Sequence, residues 1–426
     1  MGGGLLQLVA YGAQDAYLSG NPQITFWKGL FKRHTNFAME PFRINLTGQA
    51  AWGVKHSAVI GRHADLLYST YLEVVMPPGA VVNNDGSRLG YNLLKYVELD
   101  IGGQLIDRLY SEWMFIWDTL SSTNGQSAIL YDMVGLSDSG GTYTVPSTSQ
   151  CSNGRPGVPT VCYIPLNFFY TRNPGAALPL IALQYHEVKI NIEWNDAKFI
   201  AADFRNSKTL AQPVQAAVYI DYIYLDTEER RRMAQQSHEY LIEQVQFNQD
   251  QGITSAQNRI DLTFNHPVKE LVWVAQPEFY TNCNLSAENS VYRLQPFTYD
   301  VNPVYEQWLQ INGQDRMDKR YGDYFHKVQG YQHHTIGRTA APDWNAMKGV
   351  YLYSFALRPE EHQPSGTCNF SRIDTATIVM NFAGRRQNGL TDINVSPEYP
   401  WNVRVYAVNY NILRIMSGMG GLAYSN

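Results

Sequence analysis

One strand–turn–helix unit occurs twice in this chain, roughly half its length apart, and a repeat of that kind limits the fold more than any single motif. The first copy reads Val97-Glu98-Leu99-Asp100-Ile101-Gly102-Gly103-Gln104, followed by Asp107-Arg108-Leu109-Tyr110. The second reads Leu309-Gln310-Ile311-Asn312-Gly313-Gln314, followed by Asp318-Lys319-Arg320-Tyr321. Each is an alternating strand closed by Gly-Gly or Asn-Gly, dipeptides that favour the two-residue hairpin turn. Leu109, Trp113, Ile116, Trp117 and Leu120 then recur at the same spacing as Met317, Tyr321, Tyr324, Phe325 and Val328. That spacing places five apolar side chains on one face of a short helix.

The copies also end alike. Residues 214–225 and 403–413 are long runs of Val, Ile and Tyr with apolar residues on both faces. Each is expected to be a central strand or one covered on both sides. After the first, Asp226-Thr227-Glu228-Glu229 has the form of a helix N-cap with an acidic residue at the third position. A short helix through about Gln236 is expected to join the copies. Short strands at 67–76, 186–194, 350–357 and 375–382 alternate with turns. This density of strands argues for sandwiches or barrels, and two jelly rolls fit the 426 residues. The predicted fold is therefore all-β, a double jelly roll of two eight-stranded antiparallel sandwiches with short helices in its loops. Its parts are an N-terminal arm (1–25), a first roll (26–225), a linker helix (226–239) and a second roll with a C-terminal tail (240–426). The arm is apolar but loosened by glycine, and the first strand signal after it is Ile24-Thr25-Phe26-Trp27. Residues 134–161 and 281–305 read as loops leaving the sandwich ends.

Composition narrows the function. Charged residues make up 17%, below the usual quarter, while the chain holds 29 Tyr, 17 Phe and 9 Trp. Aromatics suit pleated sheets and the cores of protein interfaces. A net charge of −5 with only short basic clusters, Lys32-Arg33-His34 and Arg230-Arg231-Arg232, argues against direct nucleic-acid binding. The start lacks the pattern of a signal peptide, and no apolar run approaches the ~20 residues of a membrane helix. Cytosolic synthesis with reduced thiols is expected. The four cysteines, Cys151, Cys162, Cys283 and Cys368, contain no CxxC pair. His186-Glu187 and His238-Glu239 do not extend to the second His of a zinc-protease helix, and neighbours such as His333-His334 on a strand point to opposite faces. No nucleophile elbow or phosphate loop is present. No catalytic residue, metal site or cofactor is expected. Four N-x-[ST] sequons, at Asn45, Asn284, Asn369 and Asn394, match what chance supplies.

Several long stretches carry a family likeness. They include the opening LLQLVAYGAQDAYLSGNPQITFWKGLFKRHTNFAMEPF, YIYLDTEERRRMA (222–234), GVYLYSFALRPEEHQPSGTCNFSRID (349–374) and NYNILRIMSGMGGLAYSN (409–426). These resemble major capsid proteins of nucleocytoplasmic large DNA viruses, above all the algal-virus branch. The resemblance implies two jelly rolls side by side and three chains forming a pseudo-hexagonal trimer that tiles an icosahedral shell. It also implies minor capsid proteins beneath the shell as partners of the arm; some members of the family are glycosylated at other Asn contexts, and no glycosylation site is readable in this sequence. The role it implies is structural, in a virion, with no enzymatic activity. A minor or paralogous capsid protein of the same fold is the alternative, separable by abundance in purified virions. A β-sandwich lectin or glycosidase is the third reading, separable on a glycan panel.

Overall fold

The computed structural model describes residues 2–27, 29, 31–76, 81–84, 89–134, 141–144, 161–197, 212–213, 215–278, 302–336, 349–382, 385–387, 390–393 and 400–425. Most of the loop segments predicted at 134–161 and 281–305 lie outside these residues, as do Cys151, Cys283, Asn284 and Asn394. Two compact units are present, Met1–Phe37 and Ala38–Asn426. The first contains two short helices, Gly3–Val9 and Ala16–Ser19, which bury no residue. Ile24-Thr25-Phe26-Trp27 is not a strand. With no paired edge on offer there, β propensity alone does not form one, and the first strand begins at Phe37.

In the second unit the repeat governs everything. The first roll has strands β1 (Phe37–Asn45), β2 (Lys55–Ile60), β3 (Leu66–Val75), β4 (Leu94–Ile101), β5 (Gln104–Tyr110), β6 (Val161–Pro165), β7 (Val188–Trp194) and β8 (Gln215–Leu225). They form two sheets, ordered β1-β8-β3-β6 and β2-β7-β4-β5. The second roll has β9 (His238–Ile253), β10 (Gln257–Asp261), β11 (Pro267–Pro277), β12 (Val304–Ile311), β13 (Gln314–Asp315), β14 (Val350–Ser354), β15 (Ala376–Phe382) and β16 (Trp401–Met416). Its sheets run β9-β16-β11-β14 and β10-β15-β12-β13. Adding eight to each label of the first roll reproduces the second. Even the accessory pairings correspond: Leu178–Pro179 pairs with β3, and Cys368–Asn369 with β11.

The local causes are those of the repeat. Gly102 and Gly103 have φ of +62° and +87°, and Asn312 and Gly313 have +49° and +76°. Two positive φ values in a row define the turn whose twist matches a hairpin. After β5 comes the helix Ser111–Ser121, and after the equivalent Arg320–Tyr321 strand come a π-helical turn, Tyr324–Val328, and the helix Gln329–His333. The two helices therefore fall on the same strand connection. The second starts later than its spacing predicts, so Met317 and Tyr321 precede it. The linker helix Thr227–Gln235 is capped by Asp226, whose carboxylate accepts the Thr227 N–H at 2.8 Å.

Each roll has its core between its sheets, but the rolls are not independent. In β11, Leu271, Trp273 and Ala275 face the core of the second roll, while Val272 and Val274 join the cluster of the first. Such a strand, buried on both faces, reads as a continuous apolar run. In β3 burial alternates instead, with Leu72 and Val74 inside and Tyr71, Glu73 and Val75 partly exposed.

Candidate functional site: the seam between the rolls

The seam is built by the β5 corner of the first roll lying on the outer face of the β9-β16-β11-β14 sheet. Apolar contact comes first. Tyr110 from β5 lies 4.6 Å from the Phe247 ring, Phe247 lies 5.2 Å from Tyr406, and Trp113 lies 5.5 Å from Tyr406. Rings at these separations add to the gain from burying their area.

Charges are then enclosed in pairs. The Arg404 guanidinium donates to both oxygens of Glu112, at 2.7 and 2.6 Å, and to Gln276 at 2.7 Å. The Tyr406 hydroxyl donates to Glu112 at 2.6 Å. This fork geometry is what a carboxylate needs when water is removed. Arg172 from the first roll pairs with Glu243 of β9 at 2.6 Å, and the fully buried Lys269 of β11 meets the other oxygen of Glu243 at 2.8 Å. Burial pushes the Glu243 carboxyl up, but His362 nearby and the charges of Arg172 and Lys269 outweigh it and hold it at about 2. Burial also presses His334 down, yet Glu270 at 2.9 Å and Glu360 at 3.0 Å raise it to about 9. His334 is thus a cation at neutral pH. Asp107 behaves oppositely. Burial, only partly offset by the Val245 N–H at 3.0 Å and by Arg172, lifts it to about 6.

The tail finishes the seam. The Tyr185 N–H donates to the Gly418 carbonyl at 2.9 Å, and the Leu422 N–H donates to Gln104 Oε1 at 3.2 Å.

The histidine pairs singled out in the sequence are distributed, not gathered. His186 lies against the Gly420 backbone, His238 bonds the Met233 carbonyl, and His333 bonds the Leu357 carbonyl, away from His334. Among the described residues, no three potential metal ligands come together. Asn45 is exposed at the end of β1, and the Asn369 side chain accepts the Ser371 N–H in a turn. Cys162 is in the core, and burial pushes its thiol up to about 12. The seam charges were missed in the sequence. The signal was there in Lys269-Glu270, which interrupts an apolar strand where charge is expensive unless paired.

Paired sandwiches of one strand order, with hydrogen-bonded charge between them, define a double jelly-roll protein. Residues 25–226 match the family described as major capsid protein N-terminus, and residues 229–421 match large eukaryotic DNA virus major capsid protein. The chain is 45% identical over 444 residues to the major capsid protein of Pyramimonas orientalis virus and 40% identical over 470 residues to that of Paramecium bursaria Chlorella virus 1, with 100% of each chain covered. Among solved structures it resembles the PBCV-1 virus capsid, with a TM-score of 0.73, 37% identity and 94% and 100% of the two chains covered. The Faustovirus major capsid protein shares the fold, with a TM-score of 0.69 at 13% identity over 95% and 94% of the chains. The chain belongs to the major capsid protein family of large eukaryotic DNA viruses. It is a structural component of the virion capsid, and not an enzyme.

Proposed function

We propose that the chain works as a homotrimer in which six rolls, two per chain, form a near-sixfold ring that packs against neighbouring rings in the shell. The observation that carries this reading is the seam. It is heterologous: the corner of one roll lies on the sheet face of the other, and the two rolls have the same strand order. A heterologous contact between like units repeats until it closes, and closed cyclic assemblies are the common outcome. The chain is made in the host cytoplasm. Its two rolls divide at the Thr227–Gln235 helix, with residues 1–25 as an arm that reaches minor capsid proteins under the shell. The lateral surfaces, and no pocket, are its working parts. Light scattering on the purified full chain at low micromolar concentration tests the reading. Three chains per particle are expected, and a persistent monomer or dimer refutes the ring.

A further inference from the structure

The internal seam uses the β5 corner of the first roll and the outer face of the β9-β16-β11-β14 sheet. Among the described residues, each roll therefore has one partner surface that the chain does not fill. In the first roll it is the outer face of β1-β8-β3-β6 beyond its Leu66–Ile223 end, where Met233 of the linker helix packs. In the second it is the corner after β13.

The open face carries a row of tyrosines. Tyr71 stacks on Tyr219 with centroids 5.3 Å apart and meets Tyr163 edge-on at 6.1 Å. Tyr163 is 37% exposed. Glu73 is two residues from Tyr71 along β3, and Asp221 two from Tyr219 along β8, so both carboxylates share this face. Burial first, and then the charge of Asp221, pushes the Tyr71 hydroxyl up. The face is thus aromatic and acidic.

The open corner is aromatic and carries Lys319 and Arg320, while its Lys327 is already paired with Asp323 at 3.0 Å. Lys319 lies over the Trp308 ring at 4.6 Å and Arg320 over Tyr324 at 5.2 Å. The rings hold these cations in place. A cleft of about 400 Å³ lies beside them, bounded by Tyr321 and Lys327 among others. One aromatic residue at the centre of the filled seam has its equivalent at the open corner. Tyr110 pairs across the ladder with Tyr96, three residues before Leu99; Tyr321 pairs with Glu306, three residues before Leu309. Tyr110 is the ring that Phe247 and Tyr406 cover, whereas Tyr321 is 59% exposed.

We infer that the Lys319–Arg320–Tyr321 corner of one copy docks on the Tyr71–Tyr163–Tyr219 face of a second copy, with Glu73 and Asp221 opposite the cations. The inference rests on the ring reading above and assigns its contact. Lys319 and Arg320 are opposite in sign to Glu73 and Asp221, and complementary charge is what fixes partner and register at such surfaces.

The test is a charge swap in the full chain, read by light scattering and dissociation on dilution. Glu73→Lys with Asp221→Lys, and separately Lys319→Glu with Arg320→Glu, each place like charges opposite one another. Either pair is expected to raise the dissociation constant of the ring about a hundredfold. The four substitutions together are expected to restore it. Far-ultraviolet circular dichroism checks folding. Should a reversal unfold the chain, Tyr321→Ala replaces it, and a ring unweakened by that truncation overturns the contact. A ring indifferent to both reversals, or one not restored by the swap, overturns this contact and leaves the ring standing. A wild-type chain that stays monomeric sinks the ring, and the contact with it.

Discussion

Replacing Arg404 with Met tests whether the seam holds the two rolls as one cooperative body. The substitution keeps most of the aliphatic stem and removes the guanidinium. Glu112 then loses two charge-assisted hydrogen bonds of 2.7 and 2.6 Å, and its charge is left with the Tyr406 hydroxyl at 2.6 Å. The paired side chains are only 12% and 6% exposed, so water does not replace the lost donor. Stranding one member of a buried pair costs about 3–5 kcal/mol, and the partial exposure of Arg404 places this case near 3. Removing both charges is far less costly, since a buried pair and an apolar pair of like volume are often close in stability. Glu112→Leu with Arg404→Met is therefore expected to recover most of the loss. Urea unfolding followed by tryptophan fluorescence is the assay, because Trp113 sits 5.5 Å from Tyr406 in the seam. The wild-type chain should show one transition, and the single substitution should lower its midpoint without splitting it. A loss under about 1 kcal/mol, or strict additivity of the two single changes in a double-mutant cycle, would refute the argument. So would two separate transitions in the wild type.

Three further outcomes follow from the same geometry. His334 has a folded pKa of about 9 against 6.5 unfolded, so its contribution is complete below pH 6.5 and is lost as pH rises through 9. Stability should fall by up to about 3 kcal/mol between pH 6.5 and 10, and His334→Gln should flatten that fall; a flat wild-type profile counts against the pairing. Asp107 is raised from 3.8 to about 6, so the folded state favours its proton and stability declines as pH rises from 4 to 6. Asp107→Asn, which still accepts the Val245 N–H, should therefore stabilise the chain by about 1–3 kcal/mol at pH 7.5 and have no such effect at pH 3.5; equal effects at both pH values would rule the burial argument out. Deletion of residues 2–22 should leave folding and trimer melting unchanged but weaken binding of minor capsid proteins or shell assembly, as measured with purified components; a deletion that unfolds the trimer shows the arm to be part of the roll.

The strand–turn–helix repeat was legible because its signals are local. Gly102-Gly103 and Asn312-Gly313 dictate their turns through backbone sterics alone, and Asp226 caps its helix with its own side chain. The Ile24–Trp27 signal failed because β propensity is realised only against a partner strand, and none pairs with it among the described residues. The seam was legible only in part. The apolar runs at 214–225 and 403–413 signalled central or doubly covered strands, but not what covers them. Partners such as Glu112 and Arg404, or Arg172 and Glu243, are far apart in the chain. No periodicity in one segment encodes the charge it will meet from another.

The long apolar runs carry one more step. Both 214–225 and 403–413 read as strands that are central or covered on two sides; both are central in their sheets, and the structure divides them by their cover. In β16, Val403 and Val405 face the core of the second roll while Tyr406 and Val408 meet the first, so both faces are covered within one chain. In β8, Val218 and Ile220 are buried inside, while Tyr219 and Asp221 remain partly exposed. A strand with nothing to cover its outer face is ordinarily given polar residues there. β8 has instead Tyr219 stacked on Tyr71, and β6 adds Tyr163. Large aromatic side chains on an open face are costly in water and characteristic of the centres of interfaces. The outer face of β8 is therefore built like an interface, which is what the proposed contact with the corner of a second copy requires.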